Sequence, residues 1–172
     1  MDGPEFHGPE FLVALVNTRT FGDGASDRLA DVASARAWLR EHGGREAIGE
    51  SQRIRLAELR DALRSDWLAP GAAPRPPLAQ LLNRAAAELR PLFTVDGVTL
   101  SGAVGPDRVL GQVADAVFWA VASGAWPRLK ACQNDTCHEA FYDSTKNASR
   151  TWCSMSPCGN RMKARAYRER HA

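Results

Sequence analysis

Cys132, Cys137, Cys153 and Cys158 are the four cysteines of this chain. They form two C-x4-C pairs, with residues 138–152 between them. Two close pairs joined by a loop of that length can place four thiolates around one tetrahedral Zn²⁺. A four-thiolate site leaves no coordination position open to water, so the expected cofactor is one structural zinc rather than a catalytic one. The fourth cysteine opens Cys158-Gly159-Asn160-Arg161, and a basic run through Arg170 follows. A metal-built knot joined to a cationic segment predicts a polyanion contact, with DNA the expected partner. A thiol–disulfide switch on the same cysteines is the competing chemistry.

If residues from Pro157 onward are helical, Arg161, Arg165 and Arg168 fall at i, i+4 and i+7 on one face, and Lys163 and Arg170 on a neighbouring stripe. Arginine presents a planar fork suited to phosphate or to guanine in the major groove. Lys146 and Arg150, in the loop before the third cysteine, extend the candidate nucleic-acid surface. Arg161 has a second reading, in which it caps carbonyls of the cysteine loops. Asn160 is expected to bond those loops, and Phe141 and Trp152 to cover the metal. His138 adjoins Cys137 and could replace a cysteine as ligand; a surface histidine is the simpler reading.

The charge distribution points the same way. Residues 128–172 carry nine Lys+Arg against four Asp+Glu, while the whole chain has a net charge of +2, leaving the first 127 residues net negative. With 44% hydrophobic and 24% charged residues the composition is globular. No apolar run is long enough to span a membrane, and no basic-then-apolar leader opens the chain. Cysteines used for metal rather than disulfides point to a reducing, cytoplasmic setting.

The elements that must carry the cysteines read as mainly α. Residues 1–10, with the repeated Gly-Pro-Glu-Phe, are expected to be a loose lead-in, and Phe11–Thr18 a short buried helix or strand. Helices are predicted near Asp27–Glu41 and Glu46–Leu68, with a Pro-rich loop at Ala69–Pro77. Leu78, Leu81, Leu82, Ala85 and Leu89 follow helical spacing. Phe93–Leu100 predicts a β-hairpin about an Asp96-Gly97 type I′ turn. Gly105-Pro106-Asp107 starts another helix, whose apolar face is Val109, Leu110, Val113, Val117 and Val121, and Gly124 stops it. The expected architecture is a helical domain with one hairpin over 11–125, then a four-cysteine zinc-finger module over 128–172 ending in a basic helix.

At these residues the C-terminal part resembles the CGNR zinc-finger family. The resemblance runs from Cys132 to Arg168 and includes both cysteine pairs, Phe141, Asp143, Ser144, Arg150, Trp152-Cys153-Ser154, Cys158-Gly159-Asn160-Arg161, Lys163, Arg165 and Arg168. In that family the finger follows a domain called ABATE. Asn17-Thr18 after an apolar run, with the helices and hairpin beyond it, is similar to that domain, although Val13-Ala14-Leu15 stands where Ala-Leu-Asp is common. The resemblance implies a stress-linked bacterial transcription regulator.

Two functions of different class follow. In one, the helical domain is a sensor or dimerisation unit feeding a DNA-binding finger. In the other, the finger is a clasp in a protein–protein adaptor. No phosphate-binding glycine loop, His-Glu-x-x-His motif or Ser/His/Asp set supports an enzyme. Asp23, Asp27 and Asp31 lie four apart, but negative charge at Asp27 and Asp31 suits a helix start. Asn17 is expected to be a satisfied structural amide, with the lining of a small-molecule pocket as its alternative. Any effector of the helical domain is not legible.

Overall fold

The computed structural model describes residues 8–44, 47–69, 71–95, 97–102 and 105–171. Six α-helices and two small antiparallel hairpins follow one another among them. The lead-in expected over residues 1–10 lies mostly outside the described residues.

Helix α1 (Pro9–Val16) begins with proline, whose missing N–H costs nothing in a first turn. Phe11, Leu12, Leu15 and Val16 are buried along one of its faces, which decides helix over strand. Helix α2 (Val32–Glu41) starts five residues later than expected. Asp31 is its N-cap, accepting from the Ser34 N–H at 2.8 Å. Asp27 lies outside the helix and takes Arg60 in an ion pair at 2.5 Å. Helix α3 (Glu50–Leu68) also starts late, where the Gln52 side chain accepts the Gly49 N–H at 3.1 Å; the expected start at Glu46 lies outside the described residues.

Helix α4 (Pro76–Ala85) takes Pro76 and Pro77 from the expected loop into its first turn, the part of a helix that tolerates proline. Strands β1 (Arg90–Thr94) and β2 (Gly97–Ser101) pair with Phe93 opposite Val98 and Thr94 opposite Gly97. Gly97 is therefore in the ladder rather than the turn, and Asp96 lies outside the described residues. After a short 3₁₀ turn at Gly105–Asp107, helix α5 (Arg108–Ala122) buries Val109, Leu110, Val113, Val117 and Ala120. Ala120 stands where Val121 was expected, and Val121 is 37% exposed. Gly124 has a positive φ of 73° and ends the helix.

Strands β3 (Leu129–Ala131) and β4 (Ala140–Tyr142) pair with Lys130 opposite Phe141. Helix α6 (Asn160–His171) completes the described chain. The core is built from α1 to α5, with Trp38, Trp67 and Trp126 inside it. It does not stop at residue 127, because Leu129, Ala131 and Ala140 of the second hairpin belong to the same cluster. Strand β4 packs on α1 and β3 on α3. Among the described residues no helix is long and apolar enough to cross a membrane.

Candidate metal centre and nucleic-acid interface

The two hairpin strands set the spacing of the first cysteine pair. Cys132 leaves β3 and its N–H donates to the Glu139 carbonyl at 2.9 Å, so residues 133–138 close a tight loop. His138 takes a left-handed φ of 52° to return the chain into β4. The second pair is closed by the Gly159 N–H donating to the Ser154 carbonyl at 3.1 Å. These loops bring all four sulfurs within 4.8 Å of one another. Cys137 Sγ lies 3.8 Å from Cys153 Sγ, which is 3.7 Å from Cys158 Sγ. A tetrahedron with Zn–S bonds of about 2.3 Å has S···S edges of about 3.8 Å, so the donor set has the dimensions of a Zn²⁺ site.

The surroundings suit such a site. Cys132, Phe141 and Cys158 are buried together, with Cys137, Trp152 and Cys153 packed against them. Without a metal, burial pushes the Cys137 thiol up to about 11 and the Cys153 thiol further still. Burial would also raise Cys158, but hydrogen bonds from the Asn134 amide and the neighbouring cysteines outweigh it and hold that thiol low. Asn134 is 2% exposed and its Nδ2 donates to Cys158 Sγ at 3.3 Å, while its Oδ1 accepts from the Thr136 N–H and hydroxyl. Cys158 also stands just before α6, where the helix dipole favours a thiolate. Gly159 lies close under the second loop: a Cβ there would lie 2.9 Å from Met155 Sδ and 3.3 Å from Trp152, so a larger residue would displace the Met155 side chain.

Below the sulfurs sits a buried charge pair. Asp143 is fully buried and accepts from Lys130 Nζ at 2.8 Å, Thr145 Oγ1 at 2.6 Å and the Arg150 N–H at 2.7 Å. Burial alone would raise the Asp143 carboxyl, yet these donors hold it well below the usual carboxylate range. Lys130 also donates to the carbonyls of Ala148 and Arg150, at 2.5 and 3.1 Å. The pair thus shapes the 143–150 loop that carries the chain to Cys153.

The helical part grips this centre directly. Asn17 Nδ2 donates to the Ala140 carbonyl at 3.0 Å and Asn17 Oδ1 accepts the Ala140 N–H at 2.8 Å. Phe21 meets the His138 ring edge-on at 5.6 Å, with the Arg64 guanidinium 4.8 Å from the Phe21 centroid. His138 is thus half-buried at a junction rather than a surface residue. Gly22, at φ 77°, comes so near the first cysteine loop that a Cβ would lie 3.1 Å from the Thr136 carbonyl oxygen. Gln133 Nε2 donates to the Leu68 carbonyl at 2.6 Å. Arg64 itself donates to the carbonyls of Val16 and Arg19, fixing the loop that follows α1.

The basic residues divide into three groups. Arg161, Lys163, Arg168 and Arg170 are exposed on α6 and have no partner among the described residues. Arg165 is engaged, with Asp135 at 2.6 Å and Glu169 at 2.9 Å. Arg150 is built into the finger: it donates to the Cys153 carbonyl and lies over the Phe141 ring at 4.7 Å. Lys146 is exposed in the 143–150 loop. Arg161 makes no carbonyl cap, and the side chain of Asn160 is exposed; the amide that reaches a cysteine is Asn134. Sequence reasoning missed Asn134 and Lys130, whose roles depend on burial. A lysine two residues before the first cysteine, with an aspartate after β4, was the available signal.

A model of the family described as CGNR zinc finger matches residues 128–171. A model of the ABATE family, described as "Putative stress-induced transcription regulator", matches residues 10–126, more than half of the chain. No curated protein matches it.

Proposed function

This chain belongs to the ABATE family and carries a CGNR zinc finger, and from that premise we propose that it is a zinc-dependent nucleic-acid-binding protein acting in transcription regulation. The observation that carries the reading is α6. None of its residues is buried, and four cations project from it without partners among the described residues. A polar helix of three turns is marginal in water by itself. Here it is anchored at its first turn to the Cys158 loop, so zinc would hold a cationic rod in a defined direction.

Lys163, Arg168 and Arg170 are the proposed backbone contacts, with Arg161 beside the metal and Lys146 at the edge of the surface. Arg165 would exchange Asp135 and Glu169 for phosphate. Arg150 supports the surface from inside the finger. The proposal is a binding protein rather than an enzyme, working where thiolates stay reduced, in the cytoplasm. Five phosphate contacts give a slope of log K against log[salt] of about −4.5 for duplex DNA. The test is anisotropy of labelled duplex DNA across a salt series, with the metal content of each sample measured. Charge reversal at Lys163, Arg168 and Arg170 should abolish binding with zinc retained. Undiminished affinity would end this reading.

One observation favours a second reading, an adaptor in which the finger is a clasp. Leu92 and Phe93 of β1 are 51% and 78% exposed, and Phe118 and Trp119 of α5 are 49% and 37% exposed. Surface aromatics of this kind suit a protein partner or a second copy of the chain. Concentration-dependent association that Phe93→Ser removes, together with no DNA affinity, would favour it.

A further inference from the structure

A cavity of about 530 Å³ lies where the Asn17–Asp23 loop faces the cysteine loops. Its size falls within the range of small-molecule sites, about 300–1,000 Å³. One wall is the helical part's loop, with the Phe21 ring held in place by Arg64 beneath it. The other wall is the Asn134–Glu139 loop together with the turn from Pro157 to Arg161. These walls are far apart in sequence, and the paired Asn17–Ala140 hydrogen bonds and the Phe21–His138 contact set their separation. The cavity is therefore formed before any ligand arrives, which lowers the cost of binding.

Its ionisable lining has both signs: Arg19 and Arg161 against Asp23 and Glu139. Arg161 and Asp23 have no partner among the described residues. Arg19 reaches Asp61 at 3.5 Å, with both side chains about half exposed, and its guanidinium lies 5.4 Å from the Phe21 centroid. A simple anion would bring a third negative charge beside the two carboxylates. A simple cation would face two guanidiniums. A molecule carrying both signs satisfies both sets, and the Phe21 ring offers an apolar surface for the rest of it.

We propose that this cavity binds a small ammonium–carboxylate zwitterion with an apolar body, of the amino-acid class. The Arg161 fork takes the carboxylate, Asp23 and Glu139 take the ammonium, and the apolar body lies against Phe21. Such a ligand bridges the helical part and the finger, so it stabilises the whole chain by mass action. On the nucleic-acid reading above, a ligand that takes Arg161 also removes a cation from the phosphate-facing helix. Binding itself does not depend on that reading.

The test is calorimetric titration of the full zinc-loaded chain, without nucleic acid, with each proteinogenic amino acid. At least one should bind. For the tightest of them, the analogue lacking the ammonium and the analogue lacking the carboxylate should each bind about tenfold more weakly or worse. Arg161→Gln and Asp23→Asn, both at exposed positions, should each cost about tenfold with zinc content unchanged, while Arg40→Gln on α2 should stay within about twofold. Amide shifts on binding should map to Thr20–Asp23 and Thr136–Glu139. No binding by any of them, equal binding of a singly charged analogue, or shifts confined to the β1–β2 hairpin would each overturn the proposal.

Discussion

The side chain of Asn17, at the end of α1, forms a closed pair of hydrogen bonds with the backbone of Ala140 in β4, 123 residues further along the chain. An amide is needed, because the site requires a donor and an acceptor on one flat group. Asn17→Asp keeps the shape but cannot donate to the Ala140 carbonyl, and Asn17→Ala leaves both backbone groups unmatched. Either should cost about 1–3 kcal/mol. Chemical denaturation of the zinc-loaded protein measures this, and faster exchange of the Ala140 amide locates it. A stability equal to that of the parent would mean the pair is not a fastening.

Zinc uptake should release protons. In the metal-free protein burial holds Cys137 and Cys153 above the ordinary thiol value, so both are protonated at neutral pH. A bound zinc needs them as thiolates. Calorimetry in buffers of different ionisation enthalpy should count at least about two protons released, and apparent affinity should rise with pH by about a decade per unit for each proton. A pH-independent affinity would contradict the four-thiolate site. Cys→Ser at any of the four positions should lower metal content while α1–α5 keep their helical signal.

Asp143→Asn should destabilise the finger by about 3 kcal/mol, since it leaves the Lys130 ammonium buried without its counter-charge. The sign of the pH effect follows from the direction of the shift. The folded carboxyl titrates below its ordinary 3.8, so its contribution is complete above that value and lost as pH falls below it. The difference between parent and variant should therefore be constant from about pH 5 to 8 and shrink in stronger acid. A difference that grows on acidification would refute the pair as drawn.

Arg150 and Lys163 should separate structure from binding. Arg150→Gln removes the bond to the Cys153 carbonyl and the cation over Phe141. It should speed zinc loss to a chelator, with any fall in DNA affinity following metal loss. Lys163→Gln should leave zinc exchange unchanged and reduce the magnitude of the salt slope by about 1. Identical chelation kinetics for the parent and Arg150→Gln would return Arg150 to the list of surface cations.

The metal centre was legible because its information is local. Two short cysteine loops need only their own spacing to make four donors, and the tail's charge needs no partner to be seen. The helices were legible for the same reason, through the apolar stripe on α5 and the prolines and glycines that bound them. Their starts were read less well. Asp27 carries a helix-start residue type, but Arg60 of α3 claims it, and only packing brings Arg60 there. The same distinction separates Arg150 from Lys163, two basic residues in one basic region, of which one is turned inward over Phe141. The sequence by itself determined the four-cysteine cluster, the helical character and the cationic end. The tertiary structure decided that β3 and β4 share the helical core, that Asn17, Phe21 and Gly22 meet the cysteine loops, and that a cavity lined with both charges lies between them. Those contacts join segments more than sixty residues apart, and no local pattern encodes a contact whose energy comes from burial shared by both sides.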